Sequence, residues 1–199
     1  MTAGLSPLFA DLVRQTIRNP QGAARRLIAL DPPMEARWIG LFLVTILALL
    51  ITRVAILTMP TGTEPQFFAM LAHPWLGIPL QAGSMVVMAA GIAGGGRIFG
   101  GTGRFADALL LVVWLQVMLT LLQAVQFFAL LILPPLGALI AFAAIGVFLW
   151  FLVHFTAALH DFTNLPLVFF GLLVGFVTLV VALAVLLMLL GVSPPVEAV

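Results

Sequence analysis

Five long, mostly apolar runs fill the chain between Arg37 and Gly191, parted only by short breaks rich in proline, glycine and polar residues. Each is long enough to coil through a hydrocarbon core about 30 Å thick, where the backbone must satisfy its hydrogen bonds without water. None alternates with period two, which argues against an outer-membrane barrel and leaves helices. A charged share of 8%, a hydrophobic share of 63% and a mean hydropathy of +1.26 place the chain in the membrane class. Soluble domains carry about a quarter of charged residues. The expected fold is an all-α membrane protein: a five-helix transmembrane bundle with an N-terminal amphipathic cytoplasmic arm.

The breaks set the boundaries. Asp31-Pro32-Pro33 closes the arm, residues 1–36, because two prolines remove donors and disfavour helix just before them. Spans are predicted at roughly 37–59, 74–93, 105–133, 136–159 and 165–191, with a short exterior tail over 192–199. The third is ~42 Å long if wholly helical, so it must tilt or begin outside the core. Pro134-Pro135 forces a tight reversal, Pro79 marks a kink, and Gly91 with Gly95 and Gly171 with Gly175 have the spacing of close helix contact. The N-terminus lacks the short apolar core and small-residue cleavage site of a signal peptide, so the first span is expected to act as its own insertion signal.

Within the arm, Leu8, Phe9, Leu12, Val13 and Ile17 recur at helical spacing, with Ser6 as an N-cap and Pro7 in the first turn. Asn19-Pro20 interrupts, and Ala23, Ala24, Leu27 and Ile28 then share one side. Arg14, Arg18, Arg25 and Arg26 accompany these faces, as candidate contacts to an anionic leaflet worth about 1 kcal/mol each. An arm that packs on the bundle fits the same pattern.

From Gly94 to Arg104 the chain places six glycines and two arginines in eleven residues. So many glycines predict a flexible connector rather than a regular helix, and the arginines predict that it leaves the hydrocarbon. With five spans, Arg14, Arg18, Arg25, Arg26, Arg37, Arg97 and Arg104 fall on one side of the membrane. The opposite loops hold Glu64 and Glu197 and no basic residue. The positive-inside rule therefore puts the N-terminus and the connector in the cytoplasm. Absent lysine and tyrosine, beside heavy use of arginine, alanine and leucine, point to a GC-rich bacterial genome and hence to the inner (cytoplasmic) membrane.

The run Phe99-Gly100-Gly101-Thr102-Gly103-Arg104-Phe105-Ala106-Asp107-Ala108 resembles the signature that opens the third span in Yip1-domain proteins. A cytoplasmic arm, five spans and a very short tail resemble their plan as well. The resemblance implies a cytoplasmic connector built on Gly100, Gly101, Gly103, Arg104, Phe105 and Asp107, and it implies no catalytic residue. Eukaryotic members bind Rab-type GTPases, partly through an Asp-Leu-Tyr-Gly-Pro motif in the arm. Here Asp31-Pro32-Pro33 stands near that place and tyrosine is absent, so GTPase binding is not carried over.

Arg53 is the one charge well inside a span, where it costs about 2.5 to 3.5 kcal/mol unless it finds a partner or water. Counted from the cytoplasmic ends, Arg53, Gln81, Thr120 and Gln123 all lie ~21 to 25 Å deep. Gln116, Thr120 and Gln123 share a face at i, i+4 and i+7, so a polar cluster of Arg53, Gln81, Gln116, Thr120 and Gln123 is expected in the outer half. It could hold a small anion or headgroup; the plainer reading has Arg53 snorkelling toward Glu64 while the amides join helices.

Zero cysteines exclude disulfides and thiolate sites. His154 and His160 are six apart, not the i, i+4 pair of a zinc helix, which leaves at most an Asp107 to His154 hydrogen bond. The connector lacks the lysine and hydroxyl of a phosphate loop, and no nucleophile has a base at its depth. No metal, cofactor, nucleic-acid partner or catalytic residue is expected. The reading is non-enzymatic: a membrane-organising or partner- and lipid-binding scaffold whose small-residue faces can pack between copies as a homo-oligomer. The alternative is a small-molecule or ion transporter around Arg53.

Overall fold

A computed structural model describes residues 5–58 and 73–190. Among the described residues there are seven helices and no strand: α1 (Leu5–Arg18), α2 (Pro20–Ala29), α3 (Met34–Thr58), α4 (Pro74–Ile98), α5 (Phe105–Ile132), α6 (Pro134–His160) and α7 (Leu165–Leu189). The last five are long and apolar enough to span a membrane. Glu64, Glu197 and the exterior tail lie outside the described residues.

Local chemistry accounts for most ends. Asn19 is a one-residue break whose side chain accepts the Gly22 N–H at 2.9 Å, with Pro20 opening α2. Asn164 caps α7 in the same way through the Leu167 N–H at 3.1 Å, with Pro166 in the first turn. Leu133 alone separates α5 from α6, which starts on the two prolines; Gly137 then allows close approach, since a Cβ there would lie 2.9 Å from Leu130 Cα. At the first helix the expectation shifts slightly: α1 begins at Leu5, ahead of the Ser6 read as its cap.

Two expectations are corrected. The second span does not stop at Ala93, because Gly94, Gly95 and Gly96 continue α4 to Ile98. Each glycine costs about 1 kcal/mol in a helix interior, and tertiary packing of the last turn overrides that cost here. The helix ends in a Schellman motif, with Gly101 N–H donating to Gly96 O at 2.9 Å, Gly100 N–H to Arg97 O at 3.0 Å, and Gly100 at φ +84°. The small-residue pairs also behave otherwise than expected: a Cβ added at Gly91, Gly95, Gly171 or Gly175 would meet nothing within 4 Å. Among the described residues of one chain those faces are open.

Helix α5 is the centre, packed by α3, α4, α6 and α2, while α7 lies at the edge against α6. Burial is concentrated at the connector end. Leu109, Val112 and Leu115 of α5 pack there with Leu41, Met85, Ala89, Phe151 and Phe155. Toward the other end Leu121, Val125, Phe128, Leu139, Phe142 and Ile145 are exposed. Between α6 and α7 an apolar groove of about 400 Å³ opens sideways, lined by residues that include Leu149, Val153, Leu165 and Phe169.

The two N-terminal helices are packed on this connector end. Leu12, Ala23, Ala24 and Leu27 are buried, and α2 lies on α6. Thr16 is fully buried and accepts the Trp114 indole N–H at 2.9 Å, while the Phe9 ring meets Trp114 edge-on at 5.7 Å.

Candidate functional site

Two polar constellations hold the connector end together, and neither is legible from local sequence. The first is Arg37 in the first turn of α3, only 3% exposed. Its Nε donates to Pro32 O at 2.9 Å, Nη2 to Asp31 Oδ1 at 2.9 Å and Nη1 to Asp107 Oδ1 at 3.1 Å. Asp107, itself 7% exposed, sits in the first turn of α5, where the helix dipole favours a carboxylate. One guanidinium thus ties the proline linker, α3 and α5 into one unit.

The second is His160, the last residue of α6 and 4% exposed. The Gly103 N–H donates to Nδ1 at 3.0 Å, so Nδ1 carries no proton; Nε2–H then donates to Ile92 O at 3.1 Å. The partners fix the tautomer. Phe162 stacks on the imidazole at 5.3 Å, and Asp161 takes the left-handed φ of +57° that ends the helix. A Cβ at Gly96 or Gly101 would run into the ring, and one at Gly103 would come within 2.6 Å of it. The Gly103 carbonyl accepts from Arg97 Nε at 3.1 Å, so Gly103 is held through both its N–H and its C=O. The glycine run is therefore a cradle for an imidazole, with the ends of α4 and α6 and the start of α5 gathered around it.

The connector residues named from sequence fall into this arrangement unevenly. Gly101, Gly103 and Asp107 make the contacts just described, Gly100 supplies the positive φ, Phe105 packs against the core and Arg104 is exposed. Asp107 bonds Arg37, not His154; His154 Nδ1 instead pairs with Trp150 O at 2.7 Å, one turn back.

The polar residues expected to cluster around Arg53 are gathered as pairs. Gln81 Nε2 donates to Gln116 Oε1 at 3.4 Å, joining α4 to α5. Gln123 Nε2 donates to Thr52 Oγ1 at 2.7 Å, joining α3 to α5. Thr120 bonds back to Gln116 O at 2.7 Å. Arg53 is exposed and, among the described residues, makes no hydrogen bond to any of them.

Among the arginines of α1 and α2, Arg26 Nη1 bonds Asp11 at 2.6 Å and Gln15 at 2.9 Å, and Arg25 lies 3.9 Å from Asp161. Arg14 and Arg18 are exposed and make no ion pair or hydrogen bond among the described residues. In the sequence Arg37 is one of several arginines beside the membrane and His160 is a histidine six residues beyond His154, with nothing nearby to mark either as buried. The glycines at 96, 101 and 103 were the available signal for a buried bulky partner.

No curated protein and no solved structure matches the chain. All-helical architecture, five candidate spans and a glycine connector packed at the start of the third agree with one family. Residues 14–191 match the family model of the Yip1 domain, and the chain belongs to that family.

Proposed function

We propose that the chain is a non-enzymatic scaffold of a bacterial inner membrane, with its N-terminus and glycine connector in the cytoplasm. It organises the bilayer or holds a protein or lipid partner on the cap formed by α1, α2 and the helix ends. One observation carries this reading: Arg37, Asp107 and His160, the buried groups able to do chemistry, spend their hydrogen bonds on the chain's own backbone and carboxylates. Such groups lock a shape. The open faces at Gly91 and Gly95 and at Gly171 and Gly175 suit packing against another copy or another membrane protein. A transporter around Arg53 would need Gln81, Gln116 and Gln123 turned to a hydrated path, and these amides join helices instead.

Reconstituted at increasing density, the protein is expected to shift the vesicle size distribution seen by electron cryomicroscopy, while anion and proton flux stays at the level of protein-free vesicles. Flux that the Arg53→Leu variant abolishes would overturn the scaffold in favour of the transporter. Orientation has its own measurement, because the chain has no native cysteine. A Thr102→Cys variant should react with a membrane-impermeant maleimide in inverted vesicles and not in intact cells; the opposite pattern reverses the assignment.

A further inference from the structure

Helix α1 carries three different faces. Leu12 and Thr16 are buried against the bundle. Next around the helix come Phe9, Val13 and Ile17, spaced i, i+4 and i+8; Val13 is half-buried against the core, while Phe9 is 43% and Ile17 58% exposed. Arg14 and Arg18 follow, about 100° further round, both exposed and unpaired among the described residues. A helix packed on a protein needs only the first face. An apolar stripe bordered by a basic one is the pattern of a helix lying in a membrane interface.

The level at which α1 is docked agrees. Helix α5 has 28 residues, ~42 Å, which exceeds a ~30 Å hydrocarbon core by ~12 Å. The excess belongs at the connector end, where Arg37, Asp107, Arg97 and His160 gather. Trp114, the anchor of α1, stands nine residues after Phe105 on the same helix, ~13 Å along it. The two lengths coincide, so the hydrocarbon begins where the Trp114 indole holds Thr16.

We infer that α1 lies in the leaflet on the connector side, with Phe9 and Ile17 against the acyl chains and Arg14 and Arg18 on the phosphates of anionic phospholipids. Opposite charge and the interfacial level choose this occupant over a protein. Arg25 and Arg26 take no part, since Asp161 lies beside the one and Asp11 and Gln15 hold the other. The inference rests on the scaffold reading, and it names the ligand class and the two side chains that take it.

Single cysteines at Ile17 and at Thr102 carry an environment-sensitive fluorophore in full-length protein, reconstituted with phosphatidylcholine and phosphatidylglycerol. The label at 17 should be quenched by lipids brominated near the headgroup end of the chain, and the label at 102 by aqueous iodide. Quenching at 17 should favour brominated phosphatidylglycerol over brominated phosphatidylcholine, and that preference should fall about fivefold for each of Arg14→Gln and Arg18→Gln, lysine at both positions retaining it. Both substitutions are on the exposed face, so an unchanged melting curve shows that the fold is intact. Iodide access at 17 equal to that at 102, or equal quenching by the two lipids, overturns the inference. So does excimer emission from pyrene labels at 17 on different copies, which needs the two probes face to face and would show that a second chain covers the stripe. Reshaped vesicles together with a dry-lipid-free, iodide-accessible α1 would sink this inference and leave the scaffold standing.

Discussion

Replacing Arg37 by leucine is expected to destabilise the protein by about 3 to 5 kcal/mol, the cost of leaving a buried carboxylate without its counter-ion. The carboxylate is Asp107, which keeps its place in the first turn of α5 when the guanidinium is gone. Asp31 and the Pro32 carbonyl lose their donors in the same step, so the linker between α2 and α3 loosens as well. Unfolding in detergent, followed by tryptophan fluorescence, measures the loss, with Trp38 one residue from the substituted position. The double variant Arg37→Leu with Asp107→Leu should recover much of it, because two apolar groups of similar volume replace a buried pair at little net cost. A single variant within about 0.5 kcal/mol of the parent, the range of ordinary surface substitutions, would show that the pair is not buried as described.

The second large effect changes sign with its background. Gly96→Ala should stabilise an isolated helix by about 1 kcal/mol, yet in this protein it should destabilise by about 1 to 3 kcal/mol, the usual cost of overpacking. The new methyl group runs into the His160 ring from inside the last turn of α4. His160→Ala is itself harmful, since it opens a cavity and leaves the Gly103 N–H and Ile92 O without their partner. In that background, however, Gly96→Ala should become stabilising by up to about 1 kcal/mol, because the obstacle has gone and only the helix preference remains. Equal effects of Gly96→Ala in the two backgrounds would dissolve the cradle.

These two sites also mark where reading the sequence ends. The span starts at Pro74, Phe105 and Leu165 and the reversal at Pro134 were legible, because apolar runs and prolines act locally and the membrane leaves them no alternative. The family resemblance carried by Phe99 to Ala108 was legible too, and the match over residues 14–191 agrees with it. Gly94 to Gly96 are helical against their local propensity, and the ring that requires a glycine at 96 and bonds Ile92 O in the same helix lies 64 residues beyond Gly96 in the chain. Arg37 and Asp107 are 70 residues apart, and nothing in the neighbourhood of either announces the other. The depth count set Gln81 level with Thr120 and Gln123, whereas Gln81 bonds Gln116, a turn nearer the connector, and Gln123 bonds Thr52. It could not tell which way Arg53 turns, since depth is read along an axis and direction around it.

The uneven distribution of buried side chains has a mechanical consequence. Close-packed contacts resist deformation, whereas helices that touch mainly lipid can change their separation cheaply. From Ala108 to Leu115 helix α5 is enclosed on nearly every side, while from Leu121 onward most of its large side chains face outward. A bilayer that thins or thickens will therefore spread or close the far ends like the tips of tweezers whose rivet is the ion pair and the imidazole. Cross-sectional area will respond to lateral pressure in one leaflet and hold nearly constant in the other.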